Sequence, residues 1–157
     1  MSKSLKRVRA ALLDAGLVDG IVETSGSART AAEAAVEAGC HLDQIAKSII
    51  FRGDVSGTAI LFLTAGGNQV DPAKASAVAG EALGKADAAL IRAQTGFAIG
   101  GVAPIAHLNP IRAFWDSRLS EFDVIWAAAG TPRHIFPIAP NVLLDLSGAR
   151  PADFLKS

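Results

Sequence analysis

Two short segments of this chain combine residue types that could bind an anionic or ester-bearing ligand. Lys47 interrupts the apolar segment Ile45–Phe51, where a charge is costly unless an anion or a hydrogen-bond acceptor uses it. The segment Thr95–Pro104 contains two adjacent glycines, Gly100 and Gly101, which permit positive φ and let a ligand approach the main chain closely. Two such features in one small chain predict a ligand pocket.

Strand alternation decides which side chains accompany Lys47. If Ile45–Arg52 is a strand, Lys47 shares a face with Ile49 and Phe51, and this more apolar face should point inward. A partly buried ammonium group would have a lowered pKa and would bind a phosphate or a carboxylate. The pattern is equally compatible with a lysine at the mouth of the strand whose ammonium group reaches water.

The glycine bend, Gly96 to Pro104, has two interpretations. Its backbone N–H groups could hold a phosphate, a carboxylate or a developing oxyanion. Spacing alone favours the other interpretation, a tight turn between strands. The bend is not a P-loop, because no Gly-Lys-Ser/Thr follows it, and it lacks the glycine spacing of a dinucleotide-binding turn.

His134 is a third candidate for chemistry. On a strand it shares a face with Phe136 and Ile138, which is typical of a core histidine whose hydrogen bonds are satisfied. Because it follows Gly130-Thr-Pro132, it could also stand at the rim of a cleft. The sequence leaves both readings open.

Metal and covalent chemistry have no support in the residue pattern. His41 and His107 show no metal-ligand spacing with a carboxylate or with Cys40, so no metal is expected. No Gly-x-Ser-x-Gly motif is present, which argues against a serine hydrolase. Cys40 has no neighbouring base and is expected to be a packed thiol.

Composition limits the class of protein. The 157 residues, half of them hydrophobic, predict a single domain over 1–157. The chain has 15 basic residues (Lys and Arg) and 15 acidic residues (Asp and Glu). This balance argues against a protein that binds long nucleic acids through charge, but it is compatible with binding to a short single-stranded end. No apolar run has the length of a membrane span, and no apolar stretch follows the basic N-terminus as in a signal peptide. A cytoplasmic protein is expected.

Periodicity and capping signals predict a mixed-sheet α+β domain without internal repeats. Thr30 with Glu33 forms a capping-box pattern at the start of an alanine-rich helix that Gly39 should end. The other predicted helices are Ser4–Ala15, Pro72 to about Leu83, and Pro140–Leu146. The predicted strands are Ile21–Thr24, Ile45–Arg52, Thr58–Thr64, Ala88–Arg92, Val124–Ala128 and His134–Ile138.

At these residues the chain resembles the YbaK/EbsC family, which is related to the editing domain inserted in bacterial prolyl-tRNA synthetases. The likeness is most specific in Thr95–Pro104, where Gly101 and Pro104 match the family's glycine–proline loop, and Lys47 stands at the position of its functional lysine. The resemblance covers nearly the whole chain and implies a mixed, partly barrel-like β-sheet flanked by helices. Its other segments are Thr30–Gly39, Gln44–Phe51, Asn68–Asp71, Ala128–His134 and Ile138–Leu144.

The resemblance implies an aminoacyl-tRNA deacylase that acts in trans. Such proteins hydrolyse the ester between a wrong amino acid and the terminal adenosine of a tRNA, most often tRNA for proline carrying a small residue such as alanine or cysteine. They need no cofactor or metal. The implied partners are the aminoacylated acceptor end and prolyl-tRNA synthetase, with no DNA and no membrane, and a monomer is favoured.

The resemblance also implies roles for individual residues. Lys47 would hold the terminal nucleotide or the polar end of the substrate, and the amides of Gly100 and Gly101 would face the ester carbonyl. His134 would line the aminoacyl pocket or orient the attacking water. Thr30, Ser48 and Pro104 are implied substrate-binding positions, although alternation turns Ser48 away from Lys47.

Two other functions remain open at this point. The same pocket could bind an aminoacylated end, an amino acid or a nucleotide without turnover, because a fold does not guarantee chemistry. It could also hydrolyse some other small ester without regard to the identity of the tRNA.

Overall fold

The computed structural model describes residues 2–157, and the elements found there confirm the mixed α+β class. The helices are α1 (Lys3–Asp14), α2 (Ala31–Ala38), α3 (Pro72–Ala79), α4 (Ala88–Thr95) and α5 (Pro140–Ser147), with 3-10 turns at Leu42–Gln44 and Ser117–Glu121. The strands are β1 (Val22–Glu23), β2 (Ala46–Gly53), β3 (Ala59–Ala65), β4 (Leu83–Lys85), β5 (Arg112–Trp115), β6 (Ile125–Ala128), β7 (His134–Ile138) and β8 (Arg150–Pro151).

The strands form two sheets. The larger has the order β4-β2-β3-β5-β8, and the smaller has the order β1-β7-β6. Strands β2 and β3 form the expected antiparallel hairpin, whereas β5 runs parallel to β3, with Ile60 opposite Arg112. The sheets are not closed into a barrel, which corrects the partly barrel-like expectation.

Strand β3 is the centre of the larger sheet, and all seven of its residues are buried. Leu61 and Leu63 pack into the main core, which also receives the apolar stripe of α1. On the opposite face Phe62 contacts Phe114 and Phe154, with ring centroids 5.3 and 5.0 Å away. Because both faces of the sheet are covered, the strand is apolar except for Thr64, whose buried hydroxyl donates to the Phe62 carbonyl at 3.0 Å.

Two capping predictions are confirmed at the start and end of helices. Thr30 and Glu33 form a complete capping box, and Gly39 ends α2 with φ 67°. Asp71 caps α3 as expected, but the helix ends at Ala79, before the predicted Leu83. The residues that follow form β4 and pair with the end of β2.

The predicted strand Ala88–Arg92 is wrong, because this segment belongs to helix α4. The side chain of Asp87 accepts a hydrogen bond from the amide of Leu90 at 2.8 Å, and Gly96 ends the helix in the left-handed conformation with φ 81°. An N-cap aspartate and a C-terminal glycine are typical helix boundaries. A short apolar run between them fits a strand or a helix equally well, so the apolar pattern alone does not identify the helix.

None of the helices within residues 2–157 is long and apolar enough to cross a membrane.

A buried carboxylate joins the ends of β3 and β5. Asp116 is 1% exposed, and its Oδ2 atom accepts hydrogen bonds from the Ala65 amide and from Asn68 Nδ2, both at 2.9 Å. Its Oδ1 atom accepts from the Arg118 amide, also at 2.9 Å. The carboxylate therefore fixes the turn after β3 against the segment that follows β5.

We expect Asp116→Ala to lower the free energy of unfolding by about 2–4 kcal/mol, because it leaves buried donors without acceptors. Urea unfolding of the variant measures this change. Asp123→Ala, which removes an exposed carboxylate, is the matched control and should stay within about 0.5 kcal/mol of the parent. Equal effects of the two substitutions would contradict the role given to Asp116.

Candidate functional site

A cavity of about 650 Å³, here called the apolar cavity, lies beside β2. Its walls come from Ile45–Ile50, the start of α2, the glycine bend, and strands β6 and β7. Alanine, isoleucine and valine side chains and Trp126 form most of the surface. This volume and lining are typical of pockets for small organic ligands.

The cavity exists because one edge of β2 is largely open. Strand β2 pairs with β3 from Ala46 to Arg52, but β4 covers its other edge only at Phe51–Gly53. On that edge, among residues 2–157, one isolated bridge joins Ile45 to Trp126 of β6. Between these two points an unpaired strand edge presents backbone groups that a ligand can bind.

Lys47 is half-buried and lines the apolar cavity. Its Nζ atom donates a hydrogen bond of 2.5 Å to the carbonyl of Asn68. Burial lowers the pKa of Lys47, and the nearby carboxylates of Asp116 and Asp43 oppose that decrease. The ammonium group therefore sits at the end of the sheet rather than in the main core, with a lowered pKa as expected.

Ser48 points to the opposite face of β2 but lines the same cavity, because the cavity runs along the strand edge. Its Oγ atom is buried and finds no hydrogen-bond partner within residues 2–157. A buried hydroxyl without a partner is unfavourable, so a polar ligand atom at this point would be stabilised.

Two more of the predicted site residues line the apolar cavity. Thr30 stands at its mouth, with its hydroxyl oxygen accepting the Glu33 amide hydrogen bond of the capping box at 3.1 Å. Gly100 adopts φ 92°, and a Cβ atom added there would lie 3.2 Å from Cγ of Arg29. The positive φ is the reason for a glycine here, because the exposed side chain of Arg29 can shift by a few tenths of an ångström to make room for a Cβ atom.

Gly101 and Pro104 are buried and are not among the residues that line the apolar cavity. The Gly101 amide already donates to the Ala98 carbonyl at 3.1 Å. A Cβ atom on Gly101 would lie 2.7 Å from the carbonyl carbon of Thr131, too close for any side chain. The geometry makes Gly101 the point where the bend packs against the turn between β6 and β7.

His134 lines a second cavity, also of about 650 Å³, here called the arginine cavity because Arg29 and Arg133 both line it. Nδ1 of His134 lies 2.6 Å from the hydroxyl oxygen of Thr131. The structure therefore brings Lys47 together with Ser48, Thr30 and Gly100, and it places His134 in the neighbouring cavity.

Arg29 belongs to both cavities, and no sequence pattern selects it. It lies in a polar loop before α2, where an arginine is usually a solvated surface residue. Trp126 also forms part of the apolar cavity wall. Neither position follows a motif that could have identified it.

Arg7 and His107 hold the glycine bend in place. Arg7 donates from Nε to the Ala106 carbonyl at 2.8 Å and from Nη2 to the Thr95 carbonyl at 3.0 Å, and its guanidinium lies 4.4 Å from the centre of the Phe97 ring. Nε2 of His107 lies 2.8 Å from the Ala103 carbonyl oxygen. Burial lowers the pKa of His107, the Ala103 carbonyl opposes this, and the Arg7 charge adds to it.

Within residues 2–157 no group of three or more His, Cys, Asp or Glu side chains is placed to hold a metal ion. Burial raises the pKa of the Cys40 thiol, which makes it a poor nucleophile.

Comparison with known proteins points to one family. Residues 25–146 match the sequence profile of the aminoacyl-tRNA editing domain. A solved structure described as a candidate trans-editing enzyme for prolyl-tRNA synthetase is 42% identical, with a TM-score of 0.91, covering 100% of this chain and 99% of that one. A scaffold protein used for epitope grafting is 40% identical with the same TM-score and coverage. The uncharacterized protein YwhH of Bacillus subtilis (strain 168) is 29% identical over 144 residues, which is 92% of this chain and 91% of that protein.

The lowered pKa of His107 makes stability depend on pH. Between the ordinary histidine pKa of about 6.5 and the lower folded-state pKa, the unfolded chain binds a proton that the folded protein does not. We therefore expect this contribution to stability to be present above pH 6.5 and to be lost as the pH falls towards the folded-state value.

Urea unfolding at pH 7.5 and at pH 5.5 tests this for the parent and for His107→Gln. The parent should lose more stability between the two pH values than the variant does. Because the other titrating groups are common to both proteins, a loss of equal size in the two would contradict the assignment.

Proposed function

The chain belongs to the aminoacyl-tRNA editing domain family, and from that premise we propose that it is a deacylase that hydrolyses the ester of a mischarged tRNA in trans. The observation that carries the proposal is the apolar cavity, which combines apolar walls with the Lys47 ammonium and with the Ser48 hydroxyl, which has no hydrogen-bond partner in the described part of the chain. A small aminoacyl group fits the walls, and its ester and amino groups supply the polar partners.

The reaction requires little of the protein beyond positioning. A water oxygen attacks the ester carbonyl carbon, the carbon–ribose oxygen bond breaks, and the ribose oxygen leaves with a proton. The apolar cavity is lined by Lys47, Arg29 and hydroxyl groups, but by no carboxylate or imidazole within residues 2–157. This supports a mechanism in which the vicinal ribose hydroxyl assists the water while the protein orients the ester.

Lys47 is proposed to hold the polar end of the substrate. Its ammonium would give up the Asn68 carbonyl and bind a substrate oxygen instead, since Lys47 itself lines the cavity. The Ser48 hydroxyl would donate to or accept from the aminoacyl group. The Gly100 amide is the nearest candidate in the bend to face the ester carbonyl.

The remaining predicted residues receive supporting roles in the proposal. Thr30 forms the wall at the mouth of the apolar cavity, and Gly101 and Pro104 fix the glycine bend behind it. His134 would act from the nucleotide side of the ester, through the arginine cavity, where it could orient water or contact the substrate.

The proposed substrate is tRNA for proline that carries a small wrong amino acid, such as alanine or cysteine. The 42% identical structure described as a candidate trans-editing enzyme for prolyl-tRNA synthetase supports this choice. An editing site separate from the synthetase is useful, because a single binding site distinguishes two side chains that differ by one methylene by only about 1–3 kcal/mol of binding free energy. Prolyl-tRNA synthetase is the proposed partner. We also propose that the protein acts as a monomer in the cytoplasm. The proposed reaction requires neither a metal nor a cofactor.

Deacylation of a panel of proline tRNAs charged with alanine, cysteine, serine or 2-aminobutyrate tests the proposal, with prolyl-tRNA as the control substrate. The parent protein should release at least one wrong amino acid quickly and spare proline. Lys47→Ala should lower kcat/KM by about 10²-fold or more, because it removes a preorganised charge at the ester. Lys85→Ala, at an exposed lysine of β4, is the matched control and should retain activity.

The other outcomes separate the rival functions. Failure to release any of these amino acids contradicts the proposal for the proline system. Tight binding of a non-hydrolysable aminoacyl analogue without turnover would instead identify a binding module. Equal hydrolysis of a free aminoacyl ester and of every tRNA would identify a general esterase.

A further inference from the structure

The arginine cavity differs from the apolar cavity in the chemistry of its walls. Two arginines, a histidine and the hydroxyl groups of Ser2, Ser27 and Thr131 line it, together with the apolar side chains of Leu5 and Pro132. Glu23 is the carboxylate among its lining residues. The two arginines outnumber that carboxylate, so the walls carry a net positive charge.

Arg29 is free to bind a ligand. Its side chain is exposed, and within residues 2–157 its guanidinium makes no hydrogen bond or ion pair. Its amide donates to the hydroxyl oxygen of Ser27 at 3.3 Å, which ties down the backbone while leaving the guanidinium available. A planar guanidinium with five N–H donors matches the oxygens of a phosphate.

Arg133 and His134, which also line the arginine cavity, have side-chain nitrogen atoms that are available to bind a ligand. Arg133 uses Nη2 in a hydrogen bond of 3.3 Å to the Ser25 carbonyl, and its other side-chain N–H groups make no hydrogen bond within the described residues. His134 uses Nδ1 against Thr131, and its Nε2 atom makes no hydrogen bond there. The cavity therefore presents several unused donors from two sides.

The position of Arg29 determines which anion the arginine cavity would meet. The same side chain borders the apolar cavity, next to Gly100. If the aminoacyl group of a nucleoside lies in the apolar cavity, the adjoining cationic groups are those of the arginine cavity, and the nearest anion of such an RNA end is the phosphate on its 5′ side. Pro132, which is partly exposed, offers apolar surface for a ribose or a base there.

We propose that the arginine cavity binds the RNA backbone phosphate on the 5′ side of the aminoacylated nucleoside, with Arg29 as its principal contact. This rests on the proposed function, because it takes the aminoacyl group to lie in the apolar cavity. The subsite gives a nearly neutral protein a local means of holding the last phosphate of an RNA strand.

The test compares two amide-linked compounds that cannot be hydrolysed: 3′-alanylamino-3′-deoxyadenosine, and the same compound carrying a 5′-phosphate methyl ester. Isothermal titration of the parent should show about tenfold tighter binding of the phosphorylated compound, as expected for a charge-assisted hydrogen bond. Arg29→Met keeps the aliphatic stem and should abolish that preference. Glu23→Gln removes the opposing charge and should increase it.

Arg150→Met removes an exposed arginine on β8 and is the matched control, so it should keep the preference of the parent. Equal binding of the two compounds by the parent, or an unchanged preference in Arg29→Met, would overturn the proposal. Inorganic phosphate that binds as tightly as the phosphorylated compound would also overturn it, because the cavity would then be a general anion site.

The failure of the proposed function gives a different result. If both compounds bind with the expected preference and no mischarged tRNA is deacylated, the phosphate subsite is supported and the hydrolase is not. If neither compound binds, the subsite itself is overturned.

Discussion

The buried carboxylate of Asp116 is the constraint on which the geometry of the site depends. It holds the end of β3, the side chain of Asn68 and the backbone after β5 in one arrangement. The Asn68 carbonyl in turn accepts the hydrogen bond from Lys47. A half-buried ammonium thus has a fixed acceptor and two carboxylates nearby, which is how an apolar strand can carry a lysine at the edge of a cavity.

The second determinant is the incomplete pairing of β2. Had β4 continued along the whole edge, backbone hydrogen bonds would have filled the space that the apolar cavity occupies. The glycine bend closes the other side, held by Arg7 and by His107. Arg29 then joins this cavity to the arginine cavity. An apolar space beside a cationic one suits the proposed ligand, a small aminoacyl group on an RNA end.

The sequence predicted local features better than it predicted pairing. The capping box of Thr30 and the alternation around Lys47 depend on neighbours in the chain, and both signals were readable. Strand β5 was not foreseen, because its parallel pairing with β3 depends on residues distant in sequence. Helix α4 was predicted as a strand, because a short apolar run fits either element, and the Asp87 cap is the local signal that marks a helix start. The placement of His134 and the importance of Arg29 depend on how loops meet, which no local pattern encodes.

The crystal structure of the protein with 3′-alanylamino-3′-deoxyadenosine tests the central claim most directly, namely that the apolar cavity receives the aminoacyl group. The account predicts that the alanyl group lies against β2, with a polar atom within about 3.2 Å of Ser48 Oγ, and that Lys47 contacts the ligand. A ligand bound elsewhere, with the Ser48 hydroxyl still without a partner and the apolar cavity empty, would contradict it.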